Sequence, residues 1–336
     1  MTSELVLTGY GFSLKKKGDR LITEKKDEKR EYPVRQLELI LITGKGVISV
    51  DAIRLAVKYG LSVYLAYSTG TPYAAITPVI FTGSAETRRQ QILAYYDERG
   101  LHLAKEFVRG KLVNQANLLK SLSLSRGRTN LELAEELYEY SQKVMDQVKK
   151  LNSIEGTLDK GADDRIRSVE ANGAKIYWEA LSKVIPEGLK FPGRVTFGAV
   201  DVVNRLLNFG YGYLRARVTS AILYAGLDPY AGYLHAYRSG EQALAFDMME
   251  EFRPLVVDRV VMTLIARKMV NKDWLEKDGL KKSALAKLMS SLRERVEHRV
   301  KFQGRKYRLK SLIKKQPRNL VSHLKGTSKY RAVTGW

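Results

Sequence analysis

The sequence predicts an α+β protein, with a small N-terminal β-sandwich-like domain ahead of a larger all-helical one. Three observations predict it. Up to about residue 80, apolar residues come in short runs broken by glycine or charged turns, as strands require. From about residue 88 they recur every three or four positions, the period of an amphipathic helix. A length of 336 residues is comfortable for two domains.

In the first 80 residues, LVLTGYGFSLKK, RLITEKK, LELILITG, LSVYLAYS and YAAITPV read as strands, and GDR at 18–20 as a hairpin tip. DAIRLAVKYG reads as a lone helix, with Asp51 at its start and Gly60 as its stop. Residues 81–87 read as the linker between the two units. Helical periodicity then runs through RRQQILAYYDERGLHLAKEFVRGKLVNQANLLKSL, NLELAEELYEYSQKVMDQVKKL, SVEANGAKIYWEALSKVI, VDVVNRLLNFGYGYLRARVTSAILYAG, EQALAFDMMEEF and PLVVDRVVMTLIARKMV. The second domain is placed at 88–310, and 311–336 is read as a basic C-terminal tail. Positions 301–336 hold eleven Lys and Arg and no Asp or Glu. The spacing of Leu309, Leu312, Ile313, Leu320 and Leu324 suggests that part of this stretch packs as helix.

Charge narrows the function classes. The formal net charge is +22, with a pI near 9.9. Such a balance points to a polyanionic partner, most simply nucleic acid, because neutralising phosphates releases counterions. No apolar run reaches the roughly 20 residues of a membrane span. The N-terminal MTSELVLTGYGFS lacks the layout of a signal peptide. The expected compartment is intracellular. With no cysteine, disulfides, thiolate zinc sites and cysteine nucleophiles are excluded. Any metal must rest on His, Asp, Glu or Asn, a donor set suited to Mg²⁺ or Mn²⁺. NFGYGYLRARV lacks the glycine spacing and the Lys-Ser/Thr of a phosphate loop, so no nucleotide cofactor is expected.

The chemistry concentrates in LHAYRSGEQALAFDMMEEFRP at 234–254. Asp247 and Glu250 are three apart, and Glu251 is four from Asp247, so on a helix they share a face and repel. A divalent cation would relieve that repulsion; water, or pairing with Arg238 and Arg253, would do so as well. His235 is one of four histidines, and the other three, His102, His298 and His323, precede no acidic cluster. In DDRIRSVEANGAKIYWEAL, Glu170 is flanked by Ala171, Gly173 and Ala174, small residues that let another helix or a ligand come close. Tyr211, Tyr213, Tyr230, Tyr233 and Tyr237 crowd the segment before the acids, and read as core and DNA-stacking residues rather than nucleophiles.

Five blocks carry a resemblance: KLVNQ (111–115), SVEANGAKIYW, DVVNRLLNFGYGYL (201–214), AGLDPYAGYLH (225–235) and LAFDMMEEFRPLVVDR (244–259). In this order and spacing, with ILITGKGVISVDAIRLAVKYGLSVYLA ahead of them, the chain resembles the CRISPR-associated protein one family, the spacer-acquisition integrases and endonucleases. The resemblance implies a helical catalytic domain with a metal site of Glu170, His235 and Glu250, with Glu250 rather than Glu251 as ligand and Asp247 as a nearby acid. Asn204 falls at the family's asparagine and is expected to order the site or the DNA backbone. It also implies a homodimer whose N-terminal domain serves dimerisation and partner contact, CRISPR-associated protein two as partner, and the prokaryotic cytoplasm as location. Candidate DNA contacts are Arg88, Arg89, Arg167, Arg215, Arg217 and Arg238. The expected reaction is insertion of short DNA fragments into a CRISPR array, by attack of a 3′ hydroxyl on a phosphodiester. A casposon-type transposon integrase and a non-catalytic DNA-binding scaffold are the alternatives.

Overall fold

A computed structural model describes residues 4–25, 28–78, 84–235, 240–276 and 279–335. Eight strands and one helix form the N-terminal unit: β1 (Glu4–Leu7), β2 (Tyr10–Lys17), β3 (Arg20–Lys25), β4 (Glu28–Pro33), β5 (Leu39–Ile42), β6 (Lys45–Ile48), α1 (Val50–Lys58), β7 (Val63–Ala66) and β8 (Pro72–Ile76). They pair as two four-stranded sheets, ordered β1-β5-β7-β8 and β4-β3-β2-β6. The turn between β2 and β3 places Gly18 at φ +57°, where a side chain would be strained. Helix α1 is capped by Ser49, whose hydroxyl accepts the Ala52 amide at 3.2 Å, so Asp51 lies in its first turn and not at the cap. Gly60, at φ +75°, follows its end.

Strand β5, LILI, is buried at all four positions, because both faces of its sheet are covered. Ile40 and Ile42 join Leu5, Phe12, Leu14 and Leu55 in the core between the two sheets. Leu39 and Leu41, with Tyr64 and Ala66, enter the core of the helical body instead. The two units therefore share a sheet.

The helical body comprises α2 (Ser84–Leu93), α3 (Glu98–Arg126), α4 (Leu131–Asn152), α5 (Ala162–Ser182), α6 (Val202–Tyr224), α7 (Ala243–Met249), α8 (Arg259–Ala266), α9 (Lys282–Glu297) and α10 (Leu309–Leu324). Two short hairpins interrupt it, β9 (Leu275–Glu276) with β10 (Gly279–Leu280), and β11 (Arg299–Phe302) with β12 (Arg305–Arg308). Helix α3, 29 residues long, lies against α4 and α5. Helix α6 is buried on nearly every face, which its GYGYL apolar content permits.

Two segment boundaries differ from the sequence reading. Residues 84–87 of the expected linker already belong to α2, and 81–83 lie outside the described residues. The 310/311 boundary falls inside α10, which packs as the spacing of Leu309 to Leu324 suggested. Leu312, Ile313, Leu320 and Leu324 are buried, because the apolar residues of α10 form a stripe that docks on the body, and Tyr330 and Val333 beyond it are buried as well. No helix among the described residues is long and apolar enough to cross a membrane.

Candidate active site

Two glycines set the geometry around Lys111. A methyl group on Gly173 of α5 would strike the Leu112 side chain, and one on Gly110 of α3 would strike Glu251 and Ala332. Without those groups, α3 sinks against α5 on one side and the segment after α7 on the other. Lys111, between Gly110 and Leu112, is thereby led into the gap. Its ammonium touches the Glu170 carboxylate and stands 2.8 Å from Glu250 Oε2. Arg253 Nε lies 3.2 Å from Glu250 Oε1. Burial works against the charge on Lys111, but Glu170 and Glu250 outweigh it and hold its pKa above the usual lysine value. Burial would likewise push Glu250 up, yet Arg253 and Lys111, with His235, hold its carboxyl below the usual range.

His235 lies in the loop between α6 and α7. Its Nδ1 lies 2.6 Å from Asp247 Oδ1, which also accepts the His235 amide at 3.1 Å. Asp247 Oδ2 accepts the amides of Tyr233 and Leu234 at 2.6 and 3.0 Å. One carboxylate thus fixes both the turn and the imidazole, leaving Nε2, among the described residues, as the ring's unengaged nitrogen. Burial disfavours the imidazolium, but Asp247, then Glu250 and Glu170, raise the histidine's pKa above 6.5.

The neighbouring acids separate by direction. Glu250 turns to Lys111 and Glu170, whereas Glu251 turns the other way. Glu251 accepts from Gln316 at 3.0 Å, from the Tyr330 hydroxyl at 2.9 Å and from the Val333 amide. Burial pushes its carboxyl up to about 7 in spite of these donors. It fastens the segment after α10 against the acidic centre.

Asn204 is fully buried at the first turn of α6. It accepts from Arg194 and the Val195 amide at 3.0 and 2.9 Å, and donates to Gly193 O and Asp201, each at 2.8 Å. It therefore pins the loop 193–195, one wall of a cavity of about 560 Å³. Lys111, Gln115, Arg194, Phe197, Arg215 and Arg253 also line that cavity, so it opens directly beside the carboxylates.

The six candidate DNA arginines scatter. Arg215 lines the cavity, donating to Pro72 O at 2.9 Å with its guanidinium over Phe246. Arg167 pairs with Asp163 and Asp164, and donates to Leu234 O at 3.1 Å, which ties α5 to the turn before His235. Arg89 is exposed, and Arg88 half-buried. Arg217 is a correction: it is only 6% exposed, its guanidinium bonded to Glu4 and 3.2 Å from Glu38. It is an internal tie between β1 and α6, not a surface contact. Arg238 and Tyr237 lie outside the described residues. Tyr211, Tyr213 and Tyr233 are buried, with hydroxyls bonded to Asp258, Glu4 and Gln91 O. Sequence reasoning gave Lys111, Gln115 and Arg194 no role; only the KLVNQ block and the adjacent Gly110 marked the first two.

Among the described residues, no three His, Asp or Glu side chains surround one point closely enough to hold an ion as they stand. The donor chemistry nonetheless suits one. Glu170 and Glu250 already converge on a single cationic centre, and Glu250 Oε2 is a buried oxygen without an aligned hydrogen bond. His235 has its outer nitrogen open and its inner one held by a carboxylate, the usual arrangement behind a metal-binding histidine.

Known proteins match along this whole frame. The family described as CRISPR associated protein Cas1 matches residues 5–296. CRISPR-associated endonuclease Cas1 1 of Archaeoglobus fulgidus is 38% identical over 99% of both chains. CRISPR-associated endonuclease Cas1 of Korarchaeum cryptofilum is 32% identical over 96% of this chain and 94% of its own. Among solved structures, a casposase bound to integration product superposes with a TM-score of 0.84 at 24% identity, covering 99% of this chain and 93% of that one. A CAS1 protein from Thermotoga maritima gives 0.78 at 19%, over 99% and 100%. At those identities the two structures speak for the fold. The family match and the curated relatives settle descent, and the chain belongs to the CRISPR associated protein Cas1 family.

Proposed function

We propose that this chain is a DNA integrase and endonuclease that needs a divalent ion, Mg²⁺ or Mn²⁺, held by Glu170, His235 and Glu250. The reaction is attack of a fragment's 3′ hydroxyl on a phosphodiester of a CRISPR array, a transesterification. The observation that carries this reading is the meeting of Glu170 and Glu250, from separate helical segments, at one positive centre beside the His235–Asp247 pair. When bound, a divalent ion neutralises charge on phosphate oxygens and lowers the pKa of an attacking hydroxyl.

The chain's own groups supply the rest. Asp247 holds the imidazole in one tautomer and one orientation, so that Nε2 is an acceptor. Arg253 keeps Glu250 ionised in a buried place. Arg194 and Arg215 bring positive charge to the cavity wall, where a phosphate of the incoming strand would be received. The net charge of +22 draws both DNAs in. Asn204 acts on this site through the Arg194 loop. The working assembly we infer is a homodimer joined by CRISPR-associated protein two, in the prokaryotic cytoplasm. Relatives named CRISPR-associated endonucleases support the array as target over a transposon-type integration.

The test is strand transfer in vitro, from a labelled duplex with free 3′ hydroxyls to a supercoiled plasmid. Label joined covalently to the plasmid with Mg²⁺ or Mn²⁺, lost with chelator and lost in His235→Ala, is the expected result. Binding of both DNAs with no joining, even with the partner protein added, would reduce the chain to a DNA-binding scaffold.

A further inference from the structure

The Lys111 ammonium stands where the two carboxylates converge, the place a divalent ion would have to enter. Two carboxylates, Glu170 and Glu250, are balanced there by two cations, Lys111 and Arg253. A divalent ion sharing those oxygens with the ammonium would meet like charge at contact distance. The fold offers Lys111 somewhere else to go. Lys111 lines the adjoining cavity, and so does Gln115, one turn further along the same face of α3. Gln115 is 2% exposed, and its Oε1 is a buried acceptor that has no hydrogen-bond partner among the described residues. Such an oxygen is rare in a native interior and calls for a donor.

We propose that Lys111 is a two-position cation. In the metal-free protein it bridges Glu170 and Glu250; when a divalent ion enters, its ammonium swings to the cavity and donates to Gln115 Oε1. Lys111 is then a positioning residue, which keeps the carboxylate pair together until an ion arrives and makes ion entry conditional on its own departure. This rests on the metal site proposed above. A site available only in the fraction of molecules with Lys111 withdrawn binds its ion more weakly by that fraction.

The test is Mn²⁺ binding to the full-length protein, by calorimetry and by electron paramagnetic resonance of free Mn²⁺, on wild type and three variants. Lys111→Met removes the competitor and should bind Mn²⁺ about tenfold more tightly or better, if the open arrangement is a tenth or less of the wild type. Gln115→Leu leaves the resting bridge intact but removes the second seat, and should bind Mn²⁺ several-fold more weakly. In Lys111→Met/Gln115→Leu the second change should have no further effect, a coupling that a merely structural role would not produce. Unchanged or weaker Mn²⁺ binding in Lys111→Met overturns the proposal. So does a Gln115→Leu effect that is absent, or that persists in the double variant. Should Lys111→Met fail to fold, Gln115→Leu and Lys111→Arg decide. The Lys111→Arg variant, bulkier and permanently charged, should bind Mn²⁺ no better than wild type, and tighter binding by it refutes the idea. If wild type binds no Mn²⁺, or if His235→Ala binds it equally well, the metal-site reading itself fails and takes this inference with it.

Discussion

Replacing Arg217 by methionine should unseat the N-terminal sheet from the helical body without touching DNA affinity. Glu4 is 1% exposed and is met by Arg217, the Tyr213 hydroxyl, and Arg293 at 3.4 Å. Removing one partner of a buried ion pair leaves an uncompensated charge and costs about 3–5 kcal/mol. Since Tyr213 and Arg293 stay with Glu4, the lower figure of about 3 kcal/mol applies. An unfolding entropy of about 2.1 cal/mol/K per residue gives roughly 0.7 kcal/mol/K for 336 residues. The melting temperature should therefore fall by about 4 °C if the chain unfolds as one unit. Glu4→Gln added to Arg217→Met removes the stranded charge while keeping an acceptor for Tyr213, and should recover most of the loss. Scanning calorimetry reads both, and a salt titration of duplex binding reads affinity. Additive losses in the double variant would refute the ion-pair account. Weakened DNA binding in Arg217→Met, at unchanged stability, would return this arginine to the surface.

Three further substitutions have expected outcomes. Asp247→Asn should bring the His235 pKa down from its raised position, because the charge that opposes burial is gone; NMR titration of the imidazole reads this, and an unmoved pKa sinks it. In the wild type, the stability tied to that imidazolium is fully present below pH 6.5 and is lost as pH rises through the higher folded pKa, a slope Asp247→Asn should flatten. Gly173→Val should overpack the crossing with Leu112, costing about 1–3 kcal/mol of stability and lowering strand transfer, since Glu170 and Lys111 sit on the two displaced helices. Glu251→Ala should free the segment around Tyr330 and Val333, seen as new protease cleavage there and a melting temperature lower by several degrees; an unchanged cleavage pattern would show that α10 alone holds the segment.

What was legible in the sequence follows from range. The change of period near residue 88 is local, and it reported the two units correctly. The two hairpins β9–β10 and β11–β12 escaped because strands of two and four residues are too short for an alternation, even that of Arg299–Phe302, to stand out. Arg217 looked like a surface arginine because its partner Glu4 lies 213 residues earlier in the chain. Lys111 was mute for a similar reason. A lysine in an amphipathic helix reads as solvated until Gly110 and Gly173 are seen to bring α3 between α5 and the acids. The direction in which Glu250 and Glu251 point was likewise beyond any spacing argument, since it depends on what Gln316 and Val333 offer from the opposite side.

The grip of Glu251 on Val333 spans 82 residues, and it has a consequence in time as well as in space. On a ribosome, the acids of 247–251 emerge well before the residues that brace them. A nascent chain already carries much of its positive charge, and so can gather nucleic acid, while the turn next to Glu250 still lacks its far support. Any chain stopped short of Tyr330 would remain in that condition, positively charged but with an unbraced acidic centre. On the proposed function, competence to cut and join would thus arrive late, after the charge that attracts the substrate.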